Sequence, residues 1–168
     1  MNYSLHMSTS RRHNMFIPQL YFSIRSLLGR KVHAFHEEIP LCYEGNLKSI
    51  CRLTEPPAEE ELFAGMEYVQ PDFFLFHKNL FQFNEAETRV VGSPDLIIEI
   101  WSPGNTLLER QKKLELYSTS SVTEHWYIDQ CSNYISRYFG NKFLGEISIC
   151  NKLYTQGGLM FDLSALAI

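Results

Sequence analysis

Asp72, Asp95, Glu99, Lys112 and Lys113 are the residues of this chain whose types and spacing bear most directly on chemistry. Two of them lie in or beside the run Leu96-Ile97-Ile98-Glu99-Ile100-Trp101, which is apolar, β-branched and bounded by turn residues, the pattern of a buried sheet strand. A carboxylate there costs free energy unless a cation or hydrogen-bond donor meets it. A preceding run, MEYVQPDFFLFH, reads as another strand. If residues 72–77 and 93–101 pair as an antiparallel hairpin around a turn near Glu85, Asp72 lies beside Glu99 and Ile100. Asp95 then sits roughly 13 Å away along the strand. Two facing carboxylates repel, and a hard cation such as Mg²⁺ relieves the repulsion by taking oxygens from both. The plainer alternative leaves Asp72 as a turn residue and Glu99 satisfied by backbone or a lysine. In Lys112-Lys113, one residue must point away from an apolar edge set by Leu114, and either could reach back over the sheet. A surface pair between Glu109 and Lys113, four residues apart, is the competing use of Lys113.

These side chains need elements to hold them. Residues 106–118 read as a helix, and Thr106-Leu107-Leu108-Glu109 has the form of a capping box. Leu107, Leu114 and Tyr117 are its expected buried edge. An earlier helix is expected from near Phe16 or Ile17, with Pro18 in its first turn and Gly29 near its end. A strand pattern follows over 32–43, where Ile39, Leu41 and Tyr43 alternate. Residues 44–67 mix Pro, Gly and the acidic Glu59-Glu60-Glu61, the composition of a loop with at most one short strand. Residues 122–128 form another expected strand. Segments 134–139 and 142–149 suggest a hairpin around Gly140-Asn141, and the tail adds a short strand or docking turn. The sum is a mixed α/β single domain, spanning 14–168 behind a loose polar arm at 1–13.

A chain of 168 residues supports one sizeable core. Its formal charge of −4 argues against a dedicated non-specific nucleic-acid binder. It does not argue against an enzyme whose bound metal offsets its own acids. The scattered Cys42, Cys51, Cys131 and Cys150 form no C-x-x-C pair and read as buried free thiols in a reducing, cytoplasmic setting. No apolar run reaches the roughly 20 residues of a membrane span. The aromatic strands around Tyr134, Tyr138 and Phe139 suggest an edge for a homodimer.

In order along the chain, VQPDFFLF, SPDLIIEIWSP, ERQKKLELY and VTEHWYID resemble the motifs of the Uma-type restriction endonuclease family, a bacterial group with the PD-(D/E)XK nuclease fold. The resemblance covers roughly residues 13–160. It implies an α/β, α+β mixed-sheet core of restriction-endonuclease type, in helix–strands–helix–strand order, with an added C-terminal β-hairpin. It also implies metal-dependent phosphodiester hydrolysis of nucleic acid, DNA in preference to RNA. By correspondence, Asp72 and Glu99 are the metal-binding acids, with the Ile100 backbone carbonyl as a further ligand. Mg²⁺ is the implied cofactor, and Mn²⁺ could substitute for it. Trp101 stands where many such nucleases keep lysine, and Lys113 matches a lysine displaced onto the following helix. His13, Asp95, Glu109 and Lys112 are accessory candidates. Departures from the pattern are Arg12 before His13 in place of an acid, Glu109 for aspartate, His125 for tyrosine and Ser121-Val122 for Gly-Val. The alternative to an active nuclease is an inactive domain that keeps the fold for nucleic-acid or protein binding.

Overall fold

The computed structural model describes residues 18, 20–21, 33–36, 41–42, 68–79, 81–83, 90–119, 123–129, 132, 134–149 and 152–163. The expected arm at 1–13, with His13, the loop at 44–67, and all but positions 18, 20 and 21 of the first helix lie outside this set. So do Cys51, Cys131, Cys150 and the side chain of Cys42. Pro18, Leu20 and Tyr21 are helical, and Leu20 is fully buried in the core.

The strands are β1 (His33–His36), β2 (Leu41–Cys42), β3 (Tyr68–Val69), β4 (Phe73–Phe76), β5 (Phe81–Phe83), β6 (Val90–Gly92) and β7 (Leu96–Trp101). After the helix α1 (Leu107–Tyr117) come β8 (Glu124–Asp129), β9 (Tyr134–Phe139), β10 (Lys142–Ser148), β11 (Lys152–Tyr154) and β12 (Met160–Asp162). The main sheet has the order β1-β4-β7-β8-β9-β10. Its pairs are antiparallel except β7 with β8, which run parallel. Parallel neighbours need a long crossover, and α1 lies within that connection.

Strand β7 is central because it is apolar on both sides. Leu96, Ile98 and Ile100 join Phe73, Leu75, Trp126 and Ile128 in one cluster. Ile97 joins Phe74, Phe76, Tyr117 and Tyr127 in the other, beneath α1. The acid Glu99 alternates with Ile97 and therefore faces the helix layer.

Two expected single strands are each broken in two. Positions 33–36 and 41–42 belong to different sheets. Residues 68–69 and 73–76 are separated at Gln70-Pro71, where proline cannot donate to a ladder. The simple hairpin between β4 and β7 is also corrected. Strands β5 and β6 intervene, pairing with each other antiparallel in a separate four-stranded sheet, β3-β2-β6-β5. The β4–β7 pairing itself is antiparallel, as read from the sequence. The β9–β10 hairpin turns at Gly140, whose φ of 54° suits glycine. The tail supplies β12, which pairs with β11.

Candidate active site

Strand pairing brings the two acids together. Phe73 lies opposite Ile98 and Phe74 opposite Ile97, so one further step in the same register sets Asp72 against Glu99. The Ile100 amide N–H donates to Asp72 Oδ2 at 2.6 Å. Asp72 is at the margin of burial, whereas Glu99 is 1 % exposed.

Helix α1 supplies the partners of Glu99. Its start is fixed by Thr106, whose hydroxyl accepts from the Glu109 amide, while the Glu109 carboxylate accepts from the Thr106 amide. The preceding turn is tied by Asn105, whose side-chain oxygen accepts from the Ser102 amide at 2.6 Å. The helix then places Lys113 and Tyr117, four residues apart, on one face. Lys113 Nζ lies 2.6 Å from Glu99 Oε2, and the Tyr117 hydroxyl donates to Glu99 Oε1 at 2.6 Å.

Burial pushes the Glu99 carboxyl up to about 7; Lys113 opposes the shift and Asp72 adds to it. Burial alone would lower Lys113, but Glu99 and Asp72 outweigh it, and the ammonium is held above its ordinary value. Tyr117 is raised well above its ordinary value by burial and by Glu99, so it stays a donor. Once the pH passes above about 7, and until the raised Lys113 and Tyr117 lose their protons, the cluster carries a lysine cation, a glutamate anion and a neutral tyrosine hydroxyl.

The donor chemistry fits a hard divalent cation. Asp72 and Glu99 offer oxygen only, and Mg²⁺ is commonly held by one or two carboxylates while keeping several waters. Among the described residues no group of three or more His, Cys, Asp or Glu side chains converges on a metal-sized space. A two-carboxylate set, completed by backbone and water, is the arrangement these residues permit.

The other candidates lie elsewhere. Asp95 is at the opposite end of β7, where its Oδ2 accepts from the amides of His77, Lys78 and Asn79. It organises the turn after β4. Glu109 serves the helix cap, and Lys112 is exposed. Leu107 corrects the expected apolar edge. It is 83 % exposed, because the apolar contacts of α1 with the sheet come from its last turn, at Leu114, Leu116 and Tyr117.

Sequence reasoning treated Tyr117 as core alone and missed its bond to Glu99. Its spacing of four from Lys113 was the available signal. It also missed Arg110, whose guanidinium carbon lies 4.7 Å from the Trp101 ring centroid. Glu124, buried at the far end of β8, had no sequence signal. It accepts from Arg137, the Trp126 indole and the Gln156 amide.

Comparison with known proteins gives the fold a context. The chain resembles the crystal structure of a "putative nuclease belonging to DUF820" from Anabaena variabilis, with a TM-score of 0.64 at 15 % identity. That match covers 95 % of this chain and 83 % of the other. The likeness shows a shared mixed α+β fold. No curated protein matches. The model of the Uma2 family, described as "Putative restriction endonuclease", matches residues 21–147, well over half of the chain. The chain therefore belongs to the Uma2 family.

Proposed function

We propose that this protein is a divalent-metal-dependent nuclease that hydrolyses phosphodiester bonds, with DNA preferred over RNA. The observation that carries this reading is the grip of Lys113 and Tyr117 on the two oxygens of Glu99, directly across the strand pair from Asp72. The family description and the nuclease named as a structural neighbour support it. So does the resemblance of the motifs, where the restriction-endonuclease description favours DNA.

In this reading Asp72, Glu99 and the Ile100 backbone carbonyl hold Mg²⁺ or Mn²⁺. The bound cation supplies charge that polarises the phosphate and lowers the pKa of the attacking water. Asp72 is steadied by the Ile100 amide, and Glu99 is kept in one orientation by Tyr117. Lys113 keeps its proton and stabilises the added negative charge of the transition state, or orients the water. Nuclease assays with Mg²⁺ or Mn²⁺ on DNA and RNA, comparing wild type with Glu99→Ala, test the reading. Cleavage by the wild type and none by the variant is expected; equal activity overturns it.

One observation favours a second reading, an inactive domain that binds nucleic acid or protein. The Lys113 ammonium already compensates Glu99 without a metal ion. Calorimetry with Mg²⁺ and Mn²⁺ separates the two, since a structural pair gives no metal-binding isotherm.

A further inference from the structure

Helix α1 is fastened to the sheet by different means at its two ends. Its last turn packs through Leu114, Leu116 and Tyr117, whereas Leu107 and Leu108 in its first turn are 83 % and 62 % exposed. Lys113 stands at the border between the two halves. On its N-terminal side the strand ends are reached by Arg110, one turn earlier on the same side of the helix.

Arg110 has three neighbours there. One outer nitrogen donates to the Ser102 carbonyl at 3.1 Å, the other lies 3.7 Å from Asp129 Oδ2, and the guanidinium stacks 4.7 Å from the Trp101 ring centroid. Ser102 directly follows β7, and Trp101 and Asp129 end the paired strands β7 and β8 opposite one another. The Trp101 ring is itself backed at 4.4 Å by Tyr127, which is fully buried. A planar fork that stacks and bonds at once suits such a junction, where a lysine would offer a point charge alone. Arg110 therefore ties the first half of α1 to both strands at their C-terminal ends.

Lysine carries its charge on a flexible four-carbon stem, so the helix has to fix where the ammonium ends. A misplacement of about 1 Å can cost a hundredfold in rate. We propose that Arg110 is a positioning residue for Lys113. By holding the first half of α1 against the ends of β7 and β8, it sets the Lys113 ammonium beside Glu99, at 2.6 Å. Its outer nitrogens are taken by Ser102 and Asp129, so it acts through Lys113 and does not touch the substrate. That Lys113 serves phosphodiester hydrolysis rests on the nuclease reading above; that Arg110 governs the pairing of Lys113 with Glu99 does not.

Two measurements on Arg110→Gln test this. Urea unfolding compares its cost in the wild type with its cost in a Lys113→Met, Glu99→Gln protein, which has no ion pair left to position. The fall in the folding equilibrium constant should be at least about threefold larger in the wild type. Gln111→Ala is the control, since the Gln111 side chain bonds Glu115 on the same helix; combined with Arg110→Gln it should be additive within about twofold. In cleavage assays kcat should fall about ten- to a hundredfold while KM stays within about twofold. Arg110→Lys, which keeps the charge, should recover part of the loss.

Equal cost in both backgrounds, or equal coupling to Gln111→Ala, overturns the inference. So does an unchanged kcat, with or without a raised KM. If Arg110→Gln does not fold, Arg110→Lys carries both measurements, with smaller changes in the same direction expected. A wild type that cleaves neither DNA nor RNA removes the nuclease reading, and the unfolding comparison then decides the positioning role alone.

Discussion

The Tyr117 hydroxyl donates to Glu99 Oε1 at 2.6 Å, from a ring with no exposed surface to a carboxylate with almost none. A neutral donor to a buried anion adds to stability and fixes direction at once. Tyr117→Phe keeps the ring in its cluster and deletes only the donor. It should cost about 1–3 kcal/mol in urea denaturation at pH 8 and also reduce nuclease turnover. A loss below about 0.5 kcal/mol, the scale of a neutral surface change, would show that the bond does not support Glu99.

Lys113 and Glu99 form a short ion pair with side chains 11 % and 2 % exposed. Breaking one side of such a pair strands the other charge. Lys113→Met should destabilise the fold by about 3–5 kcal/mol. Adding Glu99→Gln to that variant should recover a large part of the loss, because the stranded anion is then removed. A double-mutant cycle with no coupling would contradict the pairing.

His125 is fully buried, with Nε2 2.8 Å from the Gly140 carbonyl and Nδ1 2.9 Å from the Tyr127 hydroxyl. A carbonyl only accepts, so Nε2 carries the proton and Nδ1 accepts from Tyr127, which leaves the ring neutral. Burial lowers its pKa from 6.5 to about 4, against the Gly140 bond, which raises it. The unfolded chain therefore takes up a proton first as the pH falls. Its stabilising contribution is complete above about 6.5 and is lost between there and about 4. The loss amounts to about 3 kcal/mol. Replacing His125 with tyrosine, the residue of the resembled motif, should flatten the stability profile over that interval. Parallel profiles in urea titrations at several pH values would refute the assignment.

Divalent cations should stabilise the folded chain. A ligand that binds only the native state at about 100 times its dissociation constant adds about 2.7 kcal/mol. Thermal melting at pH 8 should shift upward with Mg²⁺ or Mn²⁺ and return when EDTA is added. Asp72→Asn and Glu99→Ala should each abolish the shift. A shift of the same size in either variant would place the cation elsewhere.

Much of the positioning scaffold was legible, for identifiable reasons. Helix α1 announced itself through Thr106 and Glu109, and β7 through its apolar run, because both signals are local. The pairing of Asp72 with Glu99 is read from a hairpin centred near Glu85; β5 and β6 replace that simple turn, yet the antiparallel register it implies holds, with Phe73 opposite Ile98. The insertion of β5 and β6 into the β4–β7 connection was not legible, because short strands that pair in a different sheet carry little periodicity. Leu107 was misread because helical spacing identifies a face without identifying which turns of it meet the sheet. Tyr117 was placed correctly in the core. Its bond to Glu99 depends on a side-chain direction that composition does not encode.

The β7–α1–β8 crossover has a consequence for the order in which the site is built. Lys113 and Tyr117 reach Glu99 across 14 and 18 residues, whereas the Ile100 amide meets Asp72 across 28. Shorter loops close at lower entropic cost, so the Lys–Glu–Tyr grip belongs to a nearly self-contained stretch of chain. The second acid arrives only when β4 docks. Metal affinity would then report the last stage of sheet completion during refolding, later than the protection of α1 amides from hydrogen exchange.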